Sequence, residues 1–150
     1  MNFPSWISYD NVFGPMPTAT TTNADGSTTE TSADGSTTET SADGTSSTTT
    51  YTDGRYDTTT TNTDGSTTTE SYDAAGTLYA TETVNADGTY NHWEIDSSGT
   101  IYSTTYYADG TVNYGTVEYP DTSYSSFETD PTDGSTTTST YDASGTLTQT

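Results

Sequence analysis

The chain has 150 residues, enough for one domain, and carries 22 acidic side chains against a single Arg, no Lys and one His, for a formal charge of −21. That charge argues against nucleic acid and anionic membrane as partners, since both need basic groups to meet phosphate. The absence of Cys excludes a disulfide scaffold and thiolate metal sites, and no apolar run approaches the length of a membrane-spanning helix.

Met1–Pro17 (MNFPSWISYDNVFGPMP) is compositionally foreign to the rest of the chain: it holds Trp6, two of the Phe, both Met, and Pro4, Pro15 and Pro17. Proline here disfavours helix, so the segment is expected to be an extended apolar arm, residues 1–17, with Phe3, Trp6, Ile7, Tyr9, Val12 and Phe13 as its buried groups. It lacks a basic n-region and a continuous apolar h-region and so makes a poor signal peptide. Residues 18–23, polar and free of large side chains, are expected to act as a tether.

Residues 24–150 form a Thr- and Tyr-rich β-repeat domain. Gly26, Gly35, Gly44, Gly54, Gly65, Gly76, Gly88, Gly99, Gly110, Gly134 and Gly145 punctuate it, most behind Asp, at steps of roughly nine and then eleven residues, with one double step between Gly110 and Gly134. Asp-Gly and its Ala-Gly or Ser-Gly equivalents supply the positive φ of a tight hairpin turn, which leaves about seven extended residues between turns. The fold class predicted is all-β: antiparallel hairpin repeats of about eleven residues per strand-turn unit, rolled into a sandwich, barrel or shell.

Thr18–Ser71 is the most polar stretch, with ADGSTTETS twice in tandem, and Thr is a strand former that can pair across strands. Thr28, Thr37, Thr48 and Thr59 are candidate O-glycan acceptors. No Asn-x-Ser/Thr sequon exists. Tyr72–Tyr119 has the best core. With two-residue turns, Leu78, Val84, Trp93, Ile95, Tyr102, Tyr106, Val117 and Tyr119 gather on one face, and Tyr90, His92, Ile101 and Tyr114 on the other. Pro120-Asp121 stands where a Gly turn is missing.

Candidate chemistry is sparse. Most carboxylates fall in turns, where Asp serves its own backbone. His92 and Glu94 alternate onto one strand face with Trp93 on the other, a packed or solvated strand arrangement rather than a metal or catalytic pair. No catalytic residue, metal ligand or cofactor is expected beyond diffuse divalent cations drawn by charge.

Two near-duplicate passages, DGSTTTESYDAAGTL at Asp64–Leu78 and DGSTTTSTYDASGTL at Asp133–Leu147, contain Tyr72-Asp73 and Tyr141-Asp142 followed by a Gly turn and Thr-Leu. Here the chain resembles the YD repeats of secreted bacterial Rhs-type shells and teneurins, although Thr77 and Thr146 replace that family's basic residue after the Gly. The resemblance implies extracellular β-hairpin architecture. Together these features suggest a non-enzymatic structural subunit of a secreted, extracellular fibre or surface layer. Its partners would be copies of itself, in a helical or linear homopolymer joined through the arm, together with O-linked glycans. The alternative is an adhesin or ice-binding module presenting a Thr-rich surface.

Overall fold

The computed structural model describes residues 17–150; the six apolar groups expected to form the arm lie outside them. Among the described residues there are thirteen strands and no helix, and within each of the chain's two units strand order follows sequence order without a crossover. The chain divides into two compact units, Met1–Leu78 and Tyr79–Thr150.

The first unit is an antiparallel meander of β1 (Pro17–Thr22), β2 (Thr28–Ser32), β3 (Thr37–Thr40), β4 (Ser46–Thr50), β5 (Tyr56–Thr61) and β6 (Thr67–Tyr72). The second is built the same way from β7 (Leu78–Val84), β8 (Tyr90–Ile95), β9 (Ile101–Tyr106), β10 (Val112–Glu118), β11 (Tyr124–Thr129), β12 (Thr136–Tyr141) and β13 (Leu147–Gln149). Neither meander closes on itself. The expected tether is extended but not free: Thr22, Thr21, Thr20 and Ala19 pair with Thr28, Thr29, Glu30 and Thr31 of β2.

The turns carry the local logic of the sequence. In Asn23-Ala24-Asp25-Gly26-Ser27, the Gly26 amide donates to the Asn23 carbonyl and the Asn23 amide to the Ser27 carbonyl. This is a three-residue loop ending in a glycine at φ +88°. The Asp25 carboxylate accepts from both the amide and the hydroxyl of Ser27, at 3.0 and 2.8 Å. The same Asp-Gly-Ser chemistry recurs at Asp34/Ser36 and Asp64/Ser66. Asp is therefore selected as a side-chain acceptor two residues before a hydroxyl, and Gly for its left-handed backbone. At the position where the glycine series skips, Thr122 takes the glycine's place at φ 68° inside an identically bonded turn, Tyr119–Ser123.

The loop length corrects the expected core. Two-residue turns place residues of opposite parity face to face across a hairpin, whereas three-residue turns place residues of equal parity there. Val84 accordingly pairs with Tyr90, not with a neighbour of Trp93, and Ile95 pairs with Ile101. One face of the second unit carries Val84, Tyr90, His92, Glu94, Tyr102 and Tyr106, while Trp93, Ile95 and Ile101 lie on the other. Val117 joins the first face because a bulge between Val112 and Tyr114 shifts the register by one.

No apolar side chain among the described residues is buried; Leu78, Trp93, Ile95, Tyr106 and Val117 are half-buried, and Val84, Tyr102 and Tyr119 are exposed. The most enclosed polar side chains are hydroxyls: Ser27, Ser36, Ser66, Thr100 and Thr129. Ser27, Ser36 and Ser66 are those bonded to turn aspartates, so hydrogen bonds rather than apolar packing hold the interior of the turns. Turns two strands apart also touch. A Cβ added to Gly26 would lie 3.2 Å from the Ala42 Cβ, and one on Gly54 3.1 Å from the Ala74 Cβ.

Candidate functional site

The densest chemistry in the second unit lies on one face of β7–β11. Strand alternation puts Glu82 on that face of β7, and it stands directly opposite His92 of β8. The cross-strand row continues through Thr104 of β9 and Gly115 of β10 to Phe127 of β11. The next row contains Ala80, Glu94, Tyr102, Val117 and Ser125.

His92 is clasped from both sides: its Nδ1 lies 3.2 Å from the Glu82 carboxylate and its Nε2 3.4 Å from that of Glu94. The Glu82 carboxylate beside Nδ1, and after it that of Glu94, raises the imidazole pKa above its usual value; burial opposes this and loses. The carboxylates approach opposite ring nitrogens and so do not converge on one point in space. Among the described residues no group of acids and His is arranged to hold a metal ion.

Aromatic rings flank the clasp. Tyr90 and Tyr106 stand opposite each other with ring centroids 4.1 Å apart and planes 6° from parallel. Desolvation, then the proximity of Tyr106, raises the pKa of the Tyr90 hydroxyl, so it stays protonated. Tyr102 is 38% exposed, with its hydroxyl 3.4 Å from Asp96 Oδ2. The Phe127 ring covers Gly115: a Cβ there would fall 2.1 Å from its Cζ. This is the known device of an aromatic side chain shielding a strand glycine. The arrangement is a flat, half-exposed platform of rings with carboxylates set between them. It can stack an extended chain and attract a cation; it has no nucleophile–base pair.

Alternation along β8 places His92 and Glu94 together, as the sequence implies. Glu82 is found only with the correct loop length, because Asn85–Thr89 sets which residue of β7 meets His92. The candidate glycan acceptors Thr28, Thr37, Thr48 and Thr59 all sit half-buried within strands, and the Thr59 hydroxyl is 3.1 Å from that of Thr69 across β5–β6.

No protein-family model and no curated protein matches the chain. Among solved structures it is similar to the SAS-4 (dCPAP) TCP domain in complex with a proline-rich motif of Ana2 (dSTIL) of Drosophila melanogaster. That match has 24% identity over 89% of this chain and 80% of the other, with a TM-score of 0.53. It is also similar to the TCP10c domain of Drosophila melanogaster Sas-4, at 20% identity, 80% and 96% coverage and a TM-score of 0.41. The TCP10 domain of Danio rerio CPAP matches at 18% identity, 89% and 88% coverage and a TM-score of 0.27. The first likeness is one of fold, and the other two are too distant for argument.

That first match corrects the functional expectation drawn from composition. The solved TCP domain is in complex with a proline-rich motif of a different protein, Ana2, where the composition had led to copies of the same chain as partners. The reading of a secreted, extracellular fibril subunit, self-assembling with copies of itself and dressed with O-linked glycans, is overturned, and the adhesin and ice-binding alternative falls with it. Composition misled because a chain poor in apolar residues looks as though it must borrow its core from neighbours. Among the described residues, hydrogen-bonded turns and cross-strand pairs stand where a buried apolar core would be expected.

Proposed function

We propose that this chain is a non-enzymatic docking module that holds an extended, cationic segment of another protein against the β7–β11 face. The observation that carries the reading is the juxtaposition of surface rings (Tyr102, Tyr106, Phe127) with the Glu82–His92–Glu94 clasp, on a chain of charge −21. Rings at the surface of a rigid sheet are natural platforms for polyproline-type segments, which arrive already extended and lose little entropy on docking. Carboxylates beside those rings select Arg or Lys in the incoming segment, and the overall charge steers its approach. The solved domain of similar fold is in complex with a proline-rich motif, which makes that class of segment the first to test.

The test is calorimetric titration of the chain with a synthetic proline-rich peptide carrying arginines, and with the same peptide carrying glutamates. The basic peptide should bind and the acidic one should not. Tyr102→Ala should weaken binding by about tenfold, the cost of removing one exposed aromatic anchor, and raised salt should weaken it further. A basic peptide that fails to bind, or that binds Tyr102→Ala as tightly as the parent chain, overturns the proposal.

A further inference from the structure

Away from that face, in the first unit, Tyr56 opens β5 and Tyr72 closes β6. They stand directly opposite each other, with ring centroids 4.7 Å apart and planes within 9° of parallel. Both are half-exposed on an open sheet. The Tyr72 hydroxyl donates to Glu70 Oε2 at 3.0 Å, two residues back on the same face. The sequence offers no cysteine to compete for oxidant.

We propose that Tyr56 and Tyr72 form a modification site, at which a haem peroxidase using hydrogen peroxide installs an intramolecular dityrosine cross-link. Each phenol gives one electron to the oxidised peroxidase and loses its hydroxyl proton. An oxidised phenol is a strong acid, and the Glu70 carboxylate receives the Tyr72 proton. The two phenoxyl radicals pair their electrons in a new carbon–carbon bond between ring positions ortho to the oxygens. The hydrogen on each of those carbons then moves to the neighbouring oxygen, which restores two phenols. The pair has lost two electrons and two protons, and these reduce one hydrogen peroxide to two waters. Coupling requires the stacked rings to turn edge to edge, which half-exposed side chains on an open face can do. Holding the partners in contact replaces a bimolecular encounter with an intramolecular one.

Two further cross-strand stacks have similar geometry: Tyr90–Tyr106 at 4.1 Å and Tyr124–Tyr141 at 4.4 Å. In Tyr56–Tyr72 a carboxylate that can take the proton is already bonded to one phenol. In Tyr90–Tyr106 the Tyr90 hydroxyl is enclosed. Tyr56–Tyr72 should therefore link first. The bond would fasten β5 to β6 in a unit with no buried apolar side chain among its described residues.

The experiment treats the dilute full-length chain with a haem peroxidase and limiting peroxide. Intact mass and gel mobility are followed, and the product is digested with a protease that cuts at aspartate, since Asp57 and Asp64 lie between the two tyrosines. The expected product is a monomer lacking two hydrogens in which the fragments bearing Tyr56 and Tyr72 are joined before any other pair. Tyr56→Phe should abolish that link. Glu70→Gln, which keeps shape and removes the proton acceptor, should slow it severalfold and leave the rate at Tyr124–Tyr141 unchanged. Links between chains, another pair reacting first, or a Glu70→Gln variant that links at the parental rate would overturn the assignment.

Discussion

Replacing Gly115 with alanine gives a test in which the sign of the effect is at stake. Gly115 is buried in the middle of β10 and does not sit at positive φ, so alanine suits its backbone. By backbone entropy and strand propensity alone, the change should stabilise the sheet by about 0.5–1 kcal/mol. The Phe127 ring reverses this expectation. The new Cβ would lie 2.1, 2.6 and 2.8 Å from three of its atoms, distances no packing tolerates, so the ring must leave the glycine it covers. A half-buried Phe that swings into solvent forfeits about 1–2 kcal/mol of apolar burial. The net result should be destabilisation by about 1 kcal/mol, or 2–4 °C in Tm for a chain of this size. The assay is urea unfolding of four proteins: the parent, Gly115→Ala, Phe127→Ala and the double variant. In the Phe127→Ala background the glycine substitution should turn stabilising, with a coupling of about 1–2 kcal/mol between the sites. If Gly115→Ala is equally stabilising with and without the ring, the account of Phe127 as a cover is wrong.

Other consequences are as direct. Thr122→Gly should stabilise the chain by about 1 kcal/mol by relieving a β-branched residue held at φ 68°, as thermal unfolding will report. Gly54→Ala should cost more than Gly110→Ala. Both glycines have positive φ, but only a Cβ at Gly54 meets a neighbour, the Ala74 Cβ at 3.1 Å. His92 should titrate above 6.5 in an NMR pH series, with Glu82→Gln lowering its pKa more than Glu94→Gln. Because the folded value is the raised one, the stability this clasp supplies is fully present below about pH 6.5 and is lost as pH rises through the folded pKa. Asp43 should titrate lowest among the turn acids, near about 2, because it accepts from Ser41 and Thr45. Its folded value is the depressed one, so its contribution is present above the ordinary aspartate range and fades as pH falls towards about 2.

Much of the fold was legible because turn chemistry is local. Each Asp-Gly marks a reversal, and every Gly in the repeat series takes positive φ. Even the gap between Gly110 and Gly134 keeps the rhythm, with Thr122 at its midpoint. Register was not legible, because Asp-Gly suits both a two-residue loop and a three-residue bulged one. The hydroxyl after the glycine is the clue: Ser27 and Ser36 bond back to the aspartate in the bulged form. That single ambiguity separated Trp93 and Ile95 from Tyr102 and Tyr106, and hid both the Glu82–His92 contact and the stacked tyrosines. The function was illegible for a different reason. Scarcity of apolar residues says how a chain is stabilised, not what it meets.

The close approach of several turns to the turn two strands on, such as Gly26 to Ala42 and Gly54 to Ala74, bears on how such a gene can change length. Copying one strand-turn unit would reverse every later strand, carry all later turns together to the opposite rim, and set the turns that flank the insertion against neighbours they did not fit. Copying a hairpin restores direction, rim and neighbour together. Insertions and losses in this repeat should therefore accumulate in even steps, and odd ones should survive only at the outermost strands, where no later turn inherits the error.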